Sequence, residues 1–460
     1  MTGSKEGVSS RDGSRGAARC GRRWTPLLPG LCVVVVASTG GCPQPIPPIR
    51  LEPTKVPPTF VAVAPGQTQQ SARFLTGSTL YLKVKDARTG LRVPRATIGI
   101  HGPTLAGGVS GATFDLSFGP LTAGTYRLRV SAPGYVTKLQ DLAIAARTKS
   151  GQKTEDTKVE VVMEPGAGEI VGRVVDAASG AALPGARIQA GDELAFAGAD
   201  GAFRLAGLAP GSIHSVAIRK TGYAAATVEG GRPGGDLGTV RLAARPLTIN
   251  LANAGAVFGT TAAAAVLGGL KAALAERATV KEEDPQGADI QVFAAPGEAV
   301  AAKASDLLEW ARQGGKLVVL GEWGGLAGYS PEAAEALVHS AGIAINADLV
   351  RSSQNASSLD WPLASAMAPW PFASADVALF QSASVFAVAP AQAVLRAQGG
   401  YRVAGISTQE PAVAAVAPYG AGLVAAAGDT SAWSDANTTG AGPDLGIRDN
   451  RSYVVNLILW

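Results

Sequence analysis

Past position 42 this 460-residue chain contains no cysteine; its three thiols are Cys20, Cys32 and Cys42. No disulfide can staple a domain built from residues 43–460, and no thiol there can act as a nucleophile or soft metal ligand. Histidine is almost as scarce, with only His101, His214 and His339. A zinc peptidase site built on two histidines and a glutamate, with His-x-x-Glu spacing, needs a carboxylate three places on. Those places hold Thr104, Ala217 and Gly342, which excludes that triad. Neither a Gly-x-x-x-x-Gly-Lys-Ser/Thr phosphate loop nor a Gly-x-Ser-x-Gly nucleophile turn occurs, and no cofactor is implied. Charge is thin as well: 17% of residues are charged, and Lys+Arg 40 against Asp+Glu 36 leaves a formal net charge of +4. Much of that surplus sits in the first fifty residues, so the remainder is near neutral and nothing calls for a nucleic acid partner.

What is present is apolar material, 47% of the chain, spread over a length that suggests several domains rather than one core. Arg19, Arg22 and Arg23 precede the apolar run 27–37, and Ser38, Thr39, Gly40 and Gly41 lead to Cys42. This is the order of a secretory signal, and the run is shorter than the roughly 20 residues of a spanning helix. Thr39-Gly40-Gly41-Cys42 resembles the bacterial lipobox, with Thr39 where an aliphatic residue is usual. The resemblance implies a signal peptide over 1–41, acylation at Cys42 and a membrane-anchored lipoprotein of the cell envelope. Prolines 43, 45, 47, 48, 53, 57, 58 and 65 make 42–77 a stiff, proline-rich linker.

An internal repeat follows. Asp86, Gly90, Pro94, Ala96 and Ile98 return 90 positions later as Asp176, Gly180, Pro184, Ala186 and Ile188, and Gly134-Tyr135 returns as Gly222-Tyr223. Each copy reads as strands and turns: β-rich runs over 80–86 and 170–176, a glycine turn, a hairpin at Asp200-Gly201, and alternating strands at 203–205 and 124–130. The shared pattern Val-x-Asp-x-x-(Ser/Thr)-Gly-x-x-(Val/Leu)-Pro-x-Ala-x-Ile, then Leu-x-x-Gly-x-Tyr-x-Leu and Gly-Tyr, resembles the carboxypeptidase regulatory-like family. That implies two transthyretin-like β-sandwiches, over 78–165 and 166–245, acting as binding, spacing or surface modules without peptidase activity. Ile213, at the tyrosine position of the second copy, reads as a conservative core change. Tyr135 and Tyr223 are candidate sugar-stacking residues, though in this motif they more simply pack a strand edge.

From 246 to 460 the period changes. Strands at 247–251, 289–293 and 316–320 alternate with helices at 261–278, 299–313 and 331–341, which predicts an α/β domain with a mostly parallel sheet flanked by helices. Gly314 to Glu322, 341–345, 420–429 and 449–457 resemble non-catalytic members of the class I glutamine amidotransferase-like superfamily. The turn 321–325 has no thiol, so glutaminase chemistry is excluded on residue type. Open α/β sheets bind ligands at the carboxyl ends of their strands. Glu322, Trp323, Asp429, Asp435 and Asn437 are the candidates there, for a sugar or cation, or else are solvated loop tips. The expectation is a non-enzymatic envelope lipoprotein that binds a glycan, a peptide or another envelope protein. The alternatives are a glycosidase-like hydrolase using Glu322 with Asp429, and a purely structural spacer.

Overall fold

The computed structural model describes residues 78–460 apart from 112–114, 120, 147–155, 252–267, 282–286, 323, 325–328, 352–362, 367–375, 380–381, 399–401, 404–409 and 434–447. The expected leader and linker, with Cys42, lie outside the described residues. No helix among those described is long and apolar enough to cross a membrane.

The two repeats fold with one topology. In the first, Leu80–Asp86 is the centre of a three-stranded sheet, antiparallel to Leu116–Phe118 and parallel to Thr157–Met163. In the second, Gly168–Asp176 takes that place between Ala202–Leu208 and the parallel Asp236–Leu242. Each sheet faces a four-stranded one: Ala106–Val109, Thr97–His101, Gly124–Ser131 and Lys138–Ile144 in the first module, and Glu193–Phe196, Arg187–Ala190, His214–Arg219 and Ala226–Gly231 in the second. Alternation explains the packing. In Ala202–Leu208, Phe203 and Leu205 are buried and Arg204 is exposed; in Gly124–Ser131, Tyr126, Leu128 and Val130 point inward. Gly90 and Gly180 close the equivalent turns at φ +68° and +71°, a region that costs glycine little.

One residue reading is corrected. Ile213 is 59% exposed rather than in the core. Ile98 pairs with Val130 and Ile188 with Ile218, so these strands correspond at an offset of 88 positions, which matches Tyr126 to His214 and not to Ile213. Because side chains alternate, one residue of slip turns Ile213 outward and puts His214 opposite the place of Tyr126.

The C-terminal region is built on a nine-stranded sheet, and it is mixed where a mostly parallel sheet was expected. Thr279–Lys281, Thr248–Asn250, Ile290–Ala294, Lys316–Leu320 and Gly422–Ala427 run parallel. Ala412–Tyr419, Gln392–Ala397, Leu363–Ala366 and Asp376–Ala378 then continue it antiparallel. The three inner parallel strands, Ile290–Ala294, Lys316–Leu320 and Gly422–Ala427, are buried on both faces, as their largely apolar runs require. Helices Gly268–Ala275 and Asn450–Leu459 contribute to the core on one face, and Glu298–Ala301, Ala304–Arg312 and Pro331–Val338 to the core on the other. Ser330 caps the last of these, its Oγ accepting from Ala333 N at 3.2 Å with Pro331 in the first turn.

The described residues of the two modules and the C-terminal region belong to a single compact unit, and these three parts are bonded across their seams. First module to C-terminal region: His101 Nε2 donates to Ala389 O (2.7 Å) and His339 Nε2 to Gly102 O (2.9 Å). Second module to C-terminal region: the Arg187 guanidinium donates to the carbonyls of Ala421 and Gly422, and Trp460 Nε1 to Gly185 O (3.0 Å). Module to module: Arg129 meets Glu193 at 2.8 Å, with both side chains under 15% exposed, and Thr137 N donates to Gly207 O.

Candidate functional site

The tyrosines expected at a binding surface have a task inside their own modules. Asp86 Oδ1 accepts from the N–H groups of Arg88 and Thr89 and from Thr89 Oγ1, folding the turn after the first strand. Tyr135, 49 positions further along the chain, donates its hydroxyl to Asp86 Oδ2 at 2.8 Å. The Thr89 N–H, with the Tyr135 hydroxyl next, holds the Asp86 carboxyl below its ordinary pKa. Asp176 repeats this with Ala178, Ser179 and Tyr223. The repeated Asp-x-x-(Thr/Ser)-Gly and Gly-Tyr motifs are thus two halves of one hydrogen-bonded latch.

Glu322 and Asp429 follow the adjacent central strands Lys316–Leu320 and Gly422–Ala427, so the sheet does bring its carboxyl ends together there. Both residues are buried, at 6% and 1% exposure, and neither is a solvated loop tip. Glu322 Oε1 accepts from Thr430 N at 3.0 Å and from the Thr430 hydroxyl. The turn is tight: a Cβ on Gly428 would overlap the Ala383 carbonyl. Burial, and then the Asp429 carboxylate, push the Tyr453 phenol pKa up. A buried carboxylate already bonded to the main chain is a poor general acid or base for a bulky substrate. Trp323, Asp435 and Asn437 lie outside the described residues. Among those described, no group of three His, Cys, Asp or Glu side chains gathers as metal ligands would.

A broad concavity lies elsewhere, where the three parts meet. A cleft of about 1010 Å³ is walled by Thr97, Ile98 and Gly107–Val109 of the first module, Glu193, Leu194 and Gly207 of the second, and the 384–393 segment of the C-terminal region. Val109, on the edge strand of the first module's four-stranded sheet, is an apolar side chain left 56% exposed there. Glu193, pairing with Arg129 across the modules, stands in the same wall. Small residues such as Gly107, Gly108, Ala387, Ala389, Ala391 and Ala393 make the surface broad and shallow in side-chain relief. Domain junctions favour ligand sites of this kind. Sequence reasoning missed it because its walls come from segments nearly 300 positions apart, and no local motif marks them.

No curated protein matches the chain. Among solved structures, similarity is found to the mmIFT52 N-terminal domain, at 18% identity over 46% of this chain and 94% of that one, TM-score 0.34. It is also found to the Bacillus anthracis TIE protein, at 14% over 38% and 36%, TM-score 0.18. The shaft pilin SpaA from Lactobacillus rhamnosus GG is similar at 12% over 37% and 99%, TM-score 0.18. By family model, residues 169–245, which form the second module, match the carboxypeptidase regulatory-like domain.

Proposed function

We propose that the chain is a non-enzymatic scaffold of the bacterial cell envelope, exported, acylated at Cys42 and held off the membrane by its proline-rich segment, which presents the three-way cleft to a glycan, a peptide or another envelope protein. The observation that carries this reading is the bonding of all three parts into one unit around an open, mostly apolar cleft. A string of independent spacers has no need of buried side-chain bonds such as that from Arg187 to Gly422 O. The regulatory-like match of the second module supports a non-catalytic role. The amidotransferase-like resemblance of 246–460 enters only as a fold analogy, for a sheet now seen to be half antiparallel.

The test uses the mature chain and the variants Val109→Glu and Leu194→Glu, both at side chains of the cleft wall that are not fully buried. Envelope glycan and detergent-solubilised envelope proteins are passed over each. Retention by the native chain, lost in both cleft variants with unchanged circular dichroism, is the expected result. Retention of nothing, or retention indifferent to both substitutions, would remove the binding role. Mass spectrometry of the mature N-terminus tests the anchor: a diacylglyceryl mass on Cys42 is expected, and an unmodified Cys42 contradicts it.

A further inference from the structure

The edge of one sheet runs along the cleft without a partner. Ala106–Val109 is the outer strand of the first module's four-stranded sheet, paired on one side only, with Thr97–His101. Its hydrogen-bonding phase follows from the adjoining turn, where Ser110 N donates to Ala96 O and Arg95 N to Ser110 O, both at 2.8 Å. Bonded and unbonded pairs alternate along an antiparallel ladder, so Gly108 and Ala106 exchange bonds with Ile98 and Ile100. The N–H and C=O of Gly107 and Val109 then face away from the sheet, and both residues stand in the wall of the cleft. Among the described residues, no hydrogen bond is made to those outward groups.

Exposed edges invite pairing, and folded proteins guard them with charge. The other edge strands of the two modules follow that rule: Asp141, Glu160, Arg204, Arg241, Glu193 and Glu229 each mark one of them. Leu116–Phe118 carries no charge and is buried throughout. Ala106–Val109 has neither protection, since its Ala-Gly-Gly-Val holds no charge and Val109 is 56% exposed.

The space beside this edge is that of one strand. About six residues of extended chain, at ~3.4 Å a residue, ~4.8 Å from the neighbouring strand and ~10 Å between packed faces, fill roughly 1000 Å³. The cleft holds about 1010 Å³. A second copy of the chain would bring a whole sandwich to the edge, which that space does not admit. The wall above is set for small apolar side chains. Val388 comes within 3.9 Å of where a Cβ on Gly107 would stand, and a Cβ on Gly99 would overlap the Ala389 carbonyl. Gly99, Gly107 and Val109 share one face of the sheet, so the 388–389 segment lies over the face from which Val109 projects.

We propose that an extended peptide, a segment of another protein, binds by adding an antiparallel strand to Ala106–Val109. Every other pair in that sheet is antiparallel. The peptide residues opposite Gly107 and Val109 bond to them through the main chain and turn apolar side chains beside Val109, and the residues between them turn their main chain away. The inference rests on the reading that the cleft holds a partner, and it narrows that partner to one extended chain.

The experiment is fluorescence anisotropy on the full mature chain with a fluorescein-labelled hexapeptide of alternating valine and threonine. Binding is expected, weakened at least about tenfold by N-methylation of the valine nitrogens and unchanged by N-methylation of the threonines, because one edge of the peptide does the pairing. Val109→Pro removes an outward N–H that bonds to nothing in the free sheet, and proline is tolerated on edge strands. It is expected to lose binding at an unchanged melting temperature, while Val109→Ala keeps the N–H and keeps binding. No binding of the hexapeptide, equal binding of its two methylated forms, or undiminished binding by Val109→Pro overturns the proposal. So does a dimer in sedimentation velocity that Val109→Pro dissolves, which would make a second copy the occupant. Envelope material retained by the native chain and lost in Val109→Glu, with no hexapeptide bound, would overturn the added strand and leave the cleft a binding site. Neither retention nor hexapeptide binding would remove both readings.

Discussion

Replacing Trp460 with alanine should uncouple the second module from the C-terminal region. The indole is 3% exposed, donates to Gly185 O at 3.0 Å and packs on Phe196. A buried tryptophan removes about 150–250 Å² from water, which at roughly 25 cal/mol per Å² sets an upper bound of roughly 4–6 kcal/mol. Large-to-small replacements of this kind cost about 3–5 kcal/mol, so Trp460→Ala is expected in that range. Trp460→Phe keeps a ring against Phe196 and loses only the donor to Gly185 O, for about 1–3 kcal/mol. The assay is scanning calorimetry on the mature chain. The native protein should unfold the second module and the C-terminal region together, and Trp460→Ala should split that transition in two, with Trp460→Phe between. Superimposable traces for all three would refute the claim that this residue joins the two parts.

The seam at His339 should weaken as pH rises. Burial alone would lower the imidazole, but the Glu335 carboxylate and the Gly102 carbonyl hold it above its ordinary 6.5, and burial raises Glu335 as well. Both groups hold protons more tightly when folded, so their contribution is full below the unfolded values and is lost as pH climbs through the raised His339 pKa. His339→Gln should reduce that slope in a pH series of urea midpoints, with buried Glu335 keeping the remainder, and an undiminished slope contradicts the assignment. Lys220 acts with the opposite sign: its folded value of about 7 lies below the ordinary 10.5, so its penalty is complete below about 7 and vanishes above 10.5. Lys220→Met should raise stability at pH 7 and flatten the gain between those limits; an unchanged curve would show that its ammonium is not buried. Arg95, exposed and held at φ +60° where the second module has Gly185 at +70°, should tolerate Arg95→Gly with a gain of up to about 1 kcal/mol, since the left-handed region costs other residues about 1–2 kcal/mol and glycine returns part of that in chain entropy. A lower melting temperature would contradict it. Glu322→Gln should lower stability and leave any hydrolytic turnover untouched; lost turnover in a protein of native stability would revive a carboxylate mechanism.

The modules were legible in sequence because a strand buried on one face writes a period of two, and a repeated latch writes Asp, Gly and Tyr at fixed spacing. The parallel strands 290–294 and 316–320 were legible for the related reason that burial on both faces demands apolar runs. The antiparallel half escaped notice. Ala412–Tyr419 and Gln392–Ala397 are rich in alanine, which marks neither helix nor strand once both faces are covered. The helix Asn450–Leu459 carries apolar residues on more than one side and has no amphipathic stripe to announce it. Glu322 and Asp429 follow neighbouring strands, but sequence spacing says nothing of their burial. The cleft is a product of docking, and no window of sequence contains it.

Double electron–electron resonance measures the central claim, that the two modules and the C-terminal region act as one body. The chain has no cysteine after Cys42, so spin labels at Lys138→Cys, Arg241→Cys and Asp306→Cys, taken in pairs on a background with Cys20, Cys32 and Cys42 all replaced by serine, report the three separations without interference. Narrow single-peaked distributions for all three pairs, unchanged by 0.5 M salt, are expected. Broad distributions spanning tens of ångströms would mean that the parts move independently, and that no standing cleft exists to hold a partner.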